Sequence, residues 1–222
     1  MSRGLALVTG ASSDLGAEFA RALARRKMNL VLVARRAEPM ERLADELHKR
    51  HEIEVLVQPM DLASPGSVAI LDERLDELKI APDILVNNAA FGLSGFFLDQ
   101  DPARIREMLQ LDILSLVELT HTFGRRMIKG SGGNVLLVAS LAAYQPDPLL
   151  AAYGVAKELC PLLRRGASRR TCPEGWRNCC VSGAYGDGAL PGLRLSAQGV
   201  SEAEHATGER SCGAGRHSHA VR

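Results

Sequence analysis

The sequence predicts an α/β fold in which helices cover both faces of one parallel sheet, a doubly wound arrangement. Five short runs rich in Leu, Val and Ile alternate with stretches in which apolar residues recur every three or four positions. Short apolar runs of this kind are typical of strands buried on both faces. Strands that alternate with helices favour a parallel sheet with right-handed crossovers. In addition, a glycine-rich turn follows the first apolar run.

The predicted strands and helices follow one another without an internal repeat or a low-complexity linker. The predicted strands are residues 4–10, 29–35, 52–58, 83–89 and 134–140. The apolar positions that mark helix faces between them are Leu15, Phe19 and Leu23, then Leu43 and Leu47, then Leu71, Leu75 and Leu78. These intervals are those of one apolar stripe on a helix.

Length and composition limit the classes of protein to which the chain can belong. Its 222 residues, 46% of them hydrophobic, are enough to bury one sizeable core, which favours a single folded domain. A net charge of +1 indicates neither nucleic acid nor a membrane surface as a partner. No apolar run approaches the ~20 residues of a spanning helix, and the opening residues resemble a strand and not a signal peptide. We therefore expect a cytoplasmic enzyme.

The cysteines all lie after residue 159, at Cys160, Cys172, Cys179, Cys180 and Cys212. A metal site can be drawn from Cys172, Cys179 and Cys180 with His217 and His219, but these residues have neither CxxC nor HxxxH spacing. We therefore expect unpaired thiols and no bound metal.

The turn after the first predicted strand, "TGASSDLG", has the features of a nucleotide-binding loop. It offers Gly10 for a tight turn, the small residues Ser12 and Ser13, and Gly16 for close helix packing. Ligands of parallel sheets bind at the carboxyl ends of the strands, where backbone amides at a helix start hold a pyrophosphate. An ordinary helix cap uses the same residue types, but the position between strand and helix favours a Rossmann-type site. The residues expected there are Thr9, Gly10, Ser12, Ser13, Asp14, Leu15 and Gly16.

The end of the second predicted strand indicates which dinucleotide binds. Ala34 stands where an acid would accept hydrogen bonds from the adenine ribose of NAD, and Arg35 and Arg36 follow it. Arginines in this place suit the 2′-phosphate of NADP. The alternative is two solvated arginines. We expect NADP(H) as the preferred cofactor and NAD(H) as the alternative.

Three further residues have the properties of a catalytic set. Tyr153 and Lys157 are four positions apart, so on a helix they share one face. The ammonium would stabilise the phenolate form of Tyr153, which could then exchange a proton with a carbonyl oxygen or an alcohol, and Lys157 could also hold a cofactor ribose. Ser140 ends the fifth predicted strand, where its hydroxyl could polarise the same oxygen.

Taken together, these motifs resemble the classical type of short-chain dehydrogenase/reductase over about residues 4–158. The family order is kept by the cofactor turn, by Asp61 and Leu62 at the adenine, by "NNAA" at 87–90, and by Ser140, Tyr153 and Lys157. The resemblance implies that Asn88 and Ala89 contact the cofactor. It also implies a small carbonyl or alcohol substrate, and more narrowly a ketone of apolar character. Family members form homodimers or homotetramers through helices that correspond to about 101–129 and 149–163, but the break in pattern after residue 160 would truncate the second helix, which argues against this assembly in this chain.

Three positions depart from the family pattern. Asp14 replaces the middle glycine of the turn, where its charge would oppose the pyrophosphate or cap the helix. Ala90 replaces the last glycine of the NNAG motif, which matters if that position needs positive φ. Asp112 falls where the family usually has an asparagine in the proton relay, and its charge is expected to perturb Lys157 and slow turnover.

The pattern changes after residue 160, and we assign 1–160 to a dinucleotide-binding and catalytic domain and 161–222 to an aberrant tail. From 161 onward the chain has no Ile, Phe, Met or Lys, and we expect it to be disordered or poorly packed. Permitted codons for 162–188, read one base later, can encode a helix, a Val-rich strand and a Pro-containing turn. We therefore infer a frameshift near Cys160 or Pro161.

Loss of the sixth family strand would leave the fifth strand as an unprotected edge and favour aggregation.

The motifs and the break after residue 160 lead to two candidate functions. The first is an NADP-dependent oxidoreductase that interconverts a ketone or aldehyde and an alcohol, with Tyr153 as acid and base. The alternative is a catalytically inactive nucleotide-binding protein.

Overall fold

A single parallel sheet forms the centre of the molecule. The computed structural model describes residues 4–145 and 147–167 and, for residues 176–182, the course of the backbone. The strands are β1 (Leu5–Thr9), β2 (Asn29–Ala34), β3 (Val55–Pro59), β4 (Ile84–Asn87), β5 (Gly133–Val138) and β6 (Trp176–Ser182). They pair in the order β3-β2-β1-β4-β5-β6, all in parallel. The carboxyl ends of all six strands therefore meet at one edge, where a ligand of this fold binds.

Helices connect the strands in the predicted alternation. They are α1 (Asp14–Ala24), α2 (Ala37–His51), α3 (Ser67–Glu77), α4 (Pro102–Leu109), α5 (Leu116–Lys129) and α6 (Ala151–Gly166). A π-helical segment, Gln110–Ser115, joins α4 to α5, and short 3-10 turns occupy Phe97–Asp99 and Leu141–Ala143.

The sheet separates two hydrophobic clusters. On one face, Val8 and Leu32 pack with Phe19 of α1 and Leu47 of α2. On the other, residues of β1, β4 and β5 pack with α3, α5 and α6, with Phe123 of α5 fully buried. Alternate residues of one strand thus serve different clusters, as in a sheet buried on both sides. The predicted doubly wound parallel sheet is confirmed.

The structure differs from the sequence prediction just after residue 160. Helix α6 continues through Pro161 to Gly166, and Leu159 and Leu163 pack against the second cluster. Strand β6 then pairs with β5 from Gly133 to Val138, with one irregularity at Gly133/Asn134. The expectation that β5 is an unpaired edge was therefore wrong.

The physical reason is that a strand ladder is made by backbone groups, which every residue except proline supplies in full. The segment "WRNCCVS" contains no proline or glycine and includes Trp and Val, which fit a pleated surface. Residues 168–175 and 183–222, with His217 and His219 of the drawn metal site, lie outside the described residues.

The described part of the chain has neither a membrane-spanning helix nor a metal-binding cluster. No helix there has both the length and the apolar character needed to cross a bilayer. No cluster of three or more His, Cys, Asp or Glu side chains arranged to hold a metal ion occurs there either.

Candidate cofactor and catalytic site

The turn between β1 and α1 leaves no room for side chains at two of its glycines. Gly10 has φ +65°, and a Cβ there would lie 2.7 Å from Asn88 Nδ2 and 2.9 Å from Ala89 Cα. A Cβ on Gly16 would collide with the Gly10 carbonyl oxygen. The two glycines therefore let the turn pack closely against Asn88 and Ala89 and against the start of α1.

Ser13 closes the turn and begins α1. Its Oγ donates to Gly10 O at 2.7 Å and accepts from Gly16 N at 3.3 Å. Ser13 is therefore the N-cap of α1. The side chain of Asp14 lies outside the described part of the structure.

Thr9 and Asn88 tie the cofactor turn to the end of β4. The buried Thr9 hydroxyl donates to Val86 O at 3.1 Å and accepts from the backbone N–H groups of Asn88 and Ala89, each at 3.0 Å. Asn88 Nδ2 donates to Thr9 O at 2.9 Å. These two predicted cofactor residues hold the adjoining loops in register.

A cavity of about 360 Å³ opens beside this turn. Its lining includes nine residues that the sequence predicted, namely Gly10, Ser12, Ser13, Arg35, Arg36, Asp61, Leu62, Asn88 and Ala89. It also includes Phe91 and Leu111, which sequence reasoning missed although they adjoin the NNAA motif and Asp112. Ala90 lines the cavity without a positive φ, so an alanine is accommodated at that position.

Both predicted arginines line this cavity and already have partners. Arg36 Nη2 donates to Ser12 O at 2.7 Å, and Arg35 Nη1 lies 3.7 Å from Glu107 Oε1. Glu107 also pairs with Arg104, whose guanidinium lies 4.9 Å from the centre of the Phe91 ring. Two cations beside a turn without room for side chains fit a phosphorylated dinucleotide.

Tyr153 and Lys157 lie one turn apart on α6, as predicted. The Lys157 side chain is 4% exposed, and its Nζ lies 5.7 Å from the centre of the Tyr153 ring and donates to Val138 O at 3.4 Å. The loop after β4 also passes close to the phenol, since a Cβ on Gly92 would lie 3.4 Å from the ring. A buried ammonium is thereby fixed beside a phenol.

Ser140 follows β5 and begins the turn against which α6 packs. Its Oγ accepts from Ala142 N at 3.3 Å. A Cβ on Gly154, the residue after Tyr153, would lie 3.3 Å from Ala142 O, so the two segments approach closely. The serine thus stands at the carboxyl edge of the sheet, next to the start of the helix that carries Tyr153.

Asp112 lies within the π-helical segment, an irregularity often found at functional sites. The residue is fully buried. Its Oδ1 accepts from Phe91 N at 3.1 Å, and its Oδ2 lies 3.6 Å from Lys157 Nζ. Burial raises the pKa of the Asp112 carboxyl to about 6, although the positive charge of Lys157 and the hydrogen bond from Phe91 act in the opposite direction.

Cys160 was expected to be an unpaired thiol, and it is free and buried one turn beyond Lys157. Its Sγ lies 4.0 Å from Val138 O, the carbonyl that also accepts from Lys157. Burial raises the pKa of the thiol, the charge of Lys157 lowers it, and that of Asp112 raises it. Sequence reasoning did not connect this residue to the site, although position i+3 from Lys157 on a helix was a signal for it.

The sequence of this chain is similar to those of several named oxidoreductases. A Danio rerio protein named very-long-chain 3-oxoacyl-CoA reductase-B is 31% identical over 166 residues, which are 72% of this chain and 52% of that protein. A Mycobacterium tuberculosis protein named probable oxidoreductase EphD is 33% identical over 154 residues, 69% of this chain and 26% of that protein. The chain therefore spans about a quarter to a half of the length of these relatives.

Solved structures have the same fold. The bulky-bulky ketone specific alcohol dehydrogenase from Comamonas testosteroni superposes with a TM-score of 0.77 at 28% identity, covering 93% of this chain and 83% of its own. A short-chain dehydrogenase from Sphingobium yanoikuyae, in complex with NADPH, gives a TM-score of 0.76 at 28% identity, covering 92% of this chain and 84% of its own.

The sequence model of the short chain dehydrogenase family matches residues 4–181 and so extends through most of β6. This match includes the glycine turn, the buried Asp112 and the Tyr153–Lys157 pair. The chain belongs to the short chain dehydrogenase family.

Proposed function

We propose that this chain is an NADP(H)-dependent oxidoreductase that interconverts a ketone or aldehyde and an alcohol. The observation that carries the proposal is the buried Lys157 ammonium beside the Tyr153 ring, on a helix that follows the carboxyl end of β5. The same edge of the sheet carries the Gly10–Gly16 turn and the two arginines. A proton donor and a dinucleotide cradle on one edge are what carbonyl reduction needs.

The protein groups handle the proton and the developing charge. When bound, a reduced nicotinamide supplies a hydride, with its electron pair, to the carbonyl carbon. As the carbonyl π pair moves onto oxygen, Tyr153 donates its phenolic proton there, and the phenolate later regains a proton from solvent. The Ser140 hydroxyl donates a hydrogen bond to the same oxygen, and the charge of Lys157 stabilises the phenolate. In the reverse direction Tyr153 removes the proton of the alcohol.

Cofactor binding uses the residues of the cavity. The backbone amide of Ser12 would face the pyrophosphate, Arg35 and Arg36 would face the 2′-phosphate, and Asp61 would face the adenine, since all four residues line the cavity. Asn88, Ala89 and Lys157 would hold the nicotinamide half. The NADPH complex of the Sphingobium yanoikuyae relative supports the preference for NADP(H) over NAD(H).

The surroundings of the proposed site favour a ketone with an apolar substituent as the substrate. The loop after β4 carries exposed Phe96 and Leu98, and Gly95 N in the same loop donates to Leu149 O at 2.9 Å. A loop with exposed apolar side chains is thus tied to the segment just before α6, the helix that carries Tyr153. The names of the Danio rerio and Comamonas testosteroni relatives, which specify a long-chain oxoacyl thioester and a bulky ketone, support this class.

We also infer that the chain assembles as a homodimer or homotetramer through α4 to α6. Leu114 in the π-helical segment and Val155 and Leu162 on α6 are each half or more exposed. Exposed apolar residues on the helices that family members use for assembly support this inference. Sedimentation velocity of the wild type against Val155→Glu tests it.

The test of the main proposal follows NADPH consumption with a panel of ketones and aldehydes. Wild type should turn over at least one of them, and Tyr153→Phe should lose about 10²- to 10⁴-fold of that rate. Tyr144→Phe, which alters an exposed tyrosine near the site, is the matched control and should keep the rate. NADPH binding without turnover of any carbonyl would instead support an inactive nucleotide-binding protein.

A further inference from the structure

The Lys157 ammonium is shared between a carboxyl group and the proposed acid. Its Nζ lies 3.6 Å from Asp112 Oδ2, 3.4 Å from Val138 O and 5.7 Å from the centre of the Tyr153 ring. Within the described residues, Asp112 Oδ2 is buried and has no hydrogen-bond partner. The carboxyl oxygen that lacks a hydrogen-bond partner therefore faces the ammonium that would stabilise the Tyr153 phenolate.

The surroundings make this pair electrostatically strong. The side chains of Asp112 and Lys157 are 0% and 4% exposed, so solvent and salt screen their interaction little. The titratable or charged groups that face Asp112 from the described residues are Lys157 and Cys160 of α6, with Tyr153 one turn away. The loop after β4 contributes the uncharged N–H of Phe91.

We propose that Asp112 is a positioning residue which, as a carboxylate, offsets the charge of Lys157 and so keeps the Tyr153 phenol protonated to higher pH. This inference rests on the proposed function, in which carbonyl reduction starts from the phenol and alcohol oxidation starts from the phenolate. The consequence is kinetic: at neutral pH the site is held in the form that reduces. An asparagine at this position would not oppose the ammonium.

The ionisation of Asp112 fits this role. Because burial raises the pKa of its carboxyl to about 6, the carboxylate form predominates at pH 7 and above. Below that range the carboxyl takes up a proton and ceases to offset the ammonium. The carboxylate therefore faces Lys157 at neutral pH and above.

The experiment is a spectrophotometric titration of tyrosinate absorbance in the full chain without cofactor. The chain has 3 tyrosines, so subtracting the curve of Tyr153→Phe isolates the ionisation of Tyr153. For Asp112→Asn, the curve of the double variant Asp112→Asn/Tyr153→Phe is subtracted in the same way. The midpoint of Tyr153 ionisation should then lie about one pH unit or more below that of wild type, since a neighbouring charge typically has effects of that size. The matched control Glu158→Gln removes an exposed carboxylate of α6 and should leave the midpoint in place.

An unchanged or raised midpoint in Asp112→Asn would overturn the proposal. If that variant does not melt cooperatively, Asp112→Ser, which is also neutral and keeps an acceptor for Phe91 N, is titrated with the same expectation. The titration needs neither cofactor nor substrate, so absence of turnover would count against the proposed function and leave this result standing. In an active enzyme, the pH at which alcohol oxidation reaches half its maximal kcat should move down in Asp112→Asn.

Discussion

Asp112 Oδ2 lies 3.6 Å from Lys157 Nζ, and both side chains are buried. The carboxyl is supplied by a π-helical segment and the ammonium by α6, so the pair joins two elements next to Tyr153. Desolvation has the larger effect on the carboxyl, whose pKa rises to about 6. The pair therefore has a cost in stability as well as the effect on Tyr153 proposed above.

The first prediction concerns the pH dependence of folding stability. A carboxyl whose pKa is higher in the folded than in the unfolded chain stabilises the fold below its unfolded pKa, and that contribution is lost as pH rises through about 6. The stability of Asp112→Asn relative to wild type should therefore be higher at pH 8 than at pH 4, by about 1–3 kcal/mol.

Urea unfolding at several pH values measures this difference. The exposed Asp99, which lies in a surface turn, provides the control Asp99→Asn, whose stability should follow wild type throughout. A difference between Asp112→Asn and wild type that stays constant from pH 4 to pH 8 would contradict the assignment of a raised pKa.

The second prediction concerns the glycine turn. In Gly16→Ala the new methyl group meets the Gly10 carbonyl oxygen, so the turn must shift. We expect a loss of about 1–3 kcal/mol of stability together with weaker NADPH binding. Calorimetry and fluorescence titration measure the two effects. Gly166→Ala, where a Cβ meets no atom within 4 Å, is the control and should preserve both.

The third prediction concerns cofactor choice. Arg36→Ala removes a guanidinium that lines the cavity and donates to Ser12 O. If this group pairs with the 2′-phosphate, the Kd for NADPH should rise about 10- to 100-fold while the Kd for NADH stays within a few-fold. Arg25→Ala, an exposed arginine at the end of α1, is the control. An equal loss for both cofactors would show that Arg36 acts through the turn and not through the phosphate.

The sequence predicted the parallel sheet and most of the cofactor cavity because both depend on local patterns. Apolar runs gave the first five strands, and the turn after β1, with Arg35 and Arg36 after β2, marked residues that do meet at one cavity. Contacts between distant segments were out of reach. Packing between segments far apart in the sequence decides three of these contacts: the hydrogen bond from Thr9 to Val86 O, that from Phe91 N to Asp112, and the contact of Cys160 with Val138 O.

The end of the described chain was predicted least well. Composition after residue 160 gave no periodic signal, yet α6 extends to Gly166 and β6 completes the edge of the sheet. Backbone hydrogen bonds can form a strand from a segment whose side-chain pattern does not predict one. The inferred frameshift stays a prediction. Sequencing the transcript across the codons for 158–188 tests it, and an unbroken frame recovered in expressed peptide would contradict it.

The central claim is that Tyr153 supplies the proton while hydride passes from a nicotinamide to a carbonyl carbon. The most direct measurement is the mass of the alcohol formed from an apolar ketone with NADPH that carries deuterium at the transferable position. We predict one deuterium on the carbinol carbon with wild type and almost no product with Tyr153→Phe, although that variant still binds NADPH. Product without deuterium, or an equal yield from Tyr153→Phe, would contradict the account.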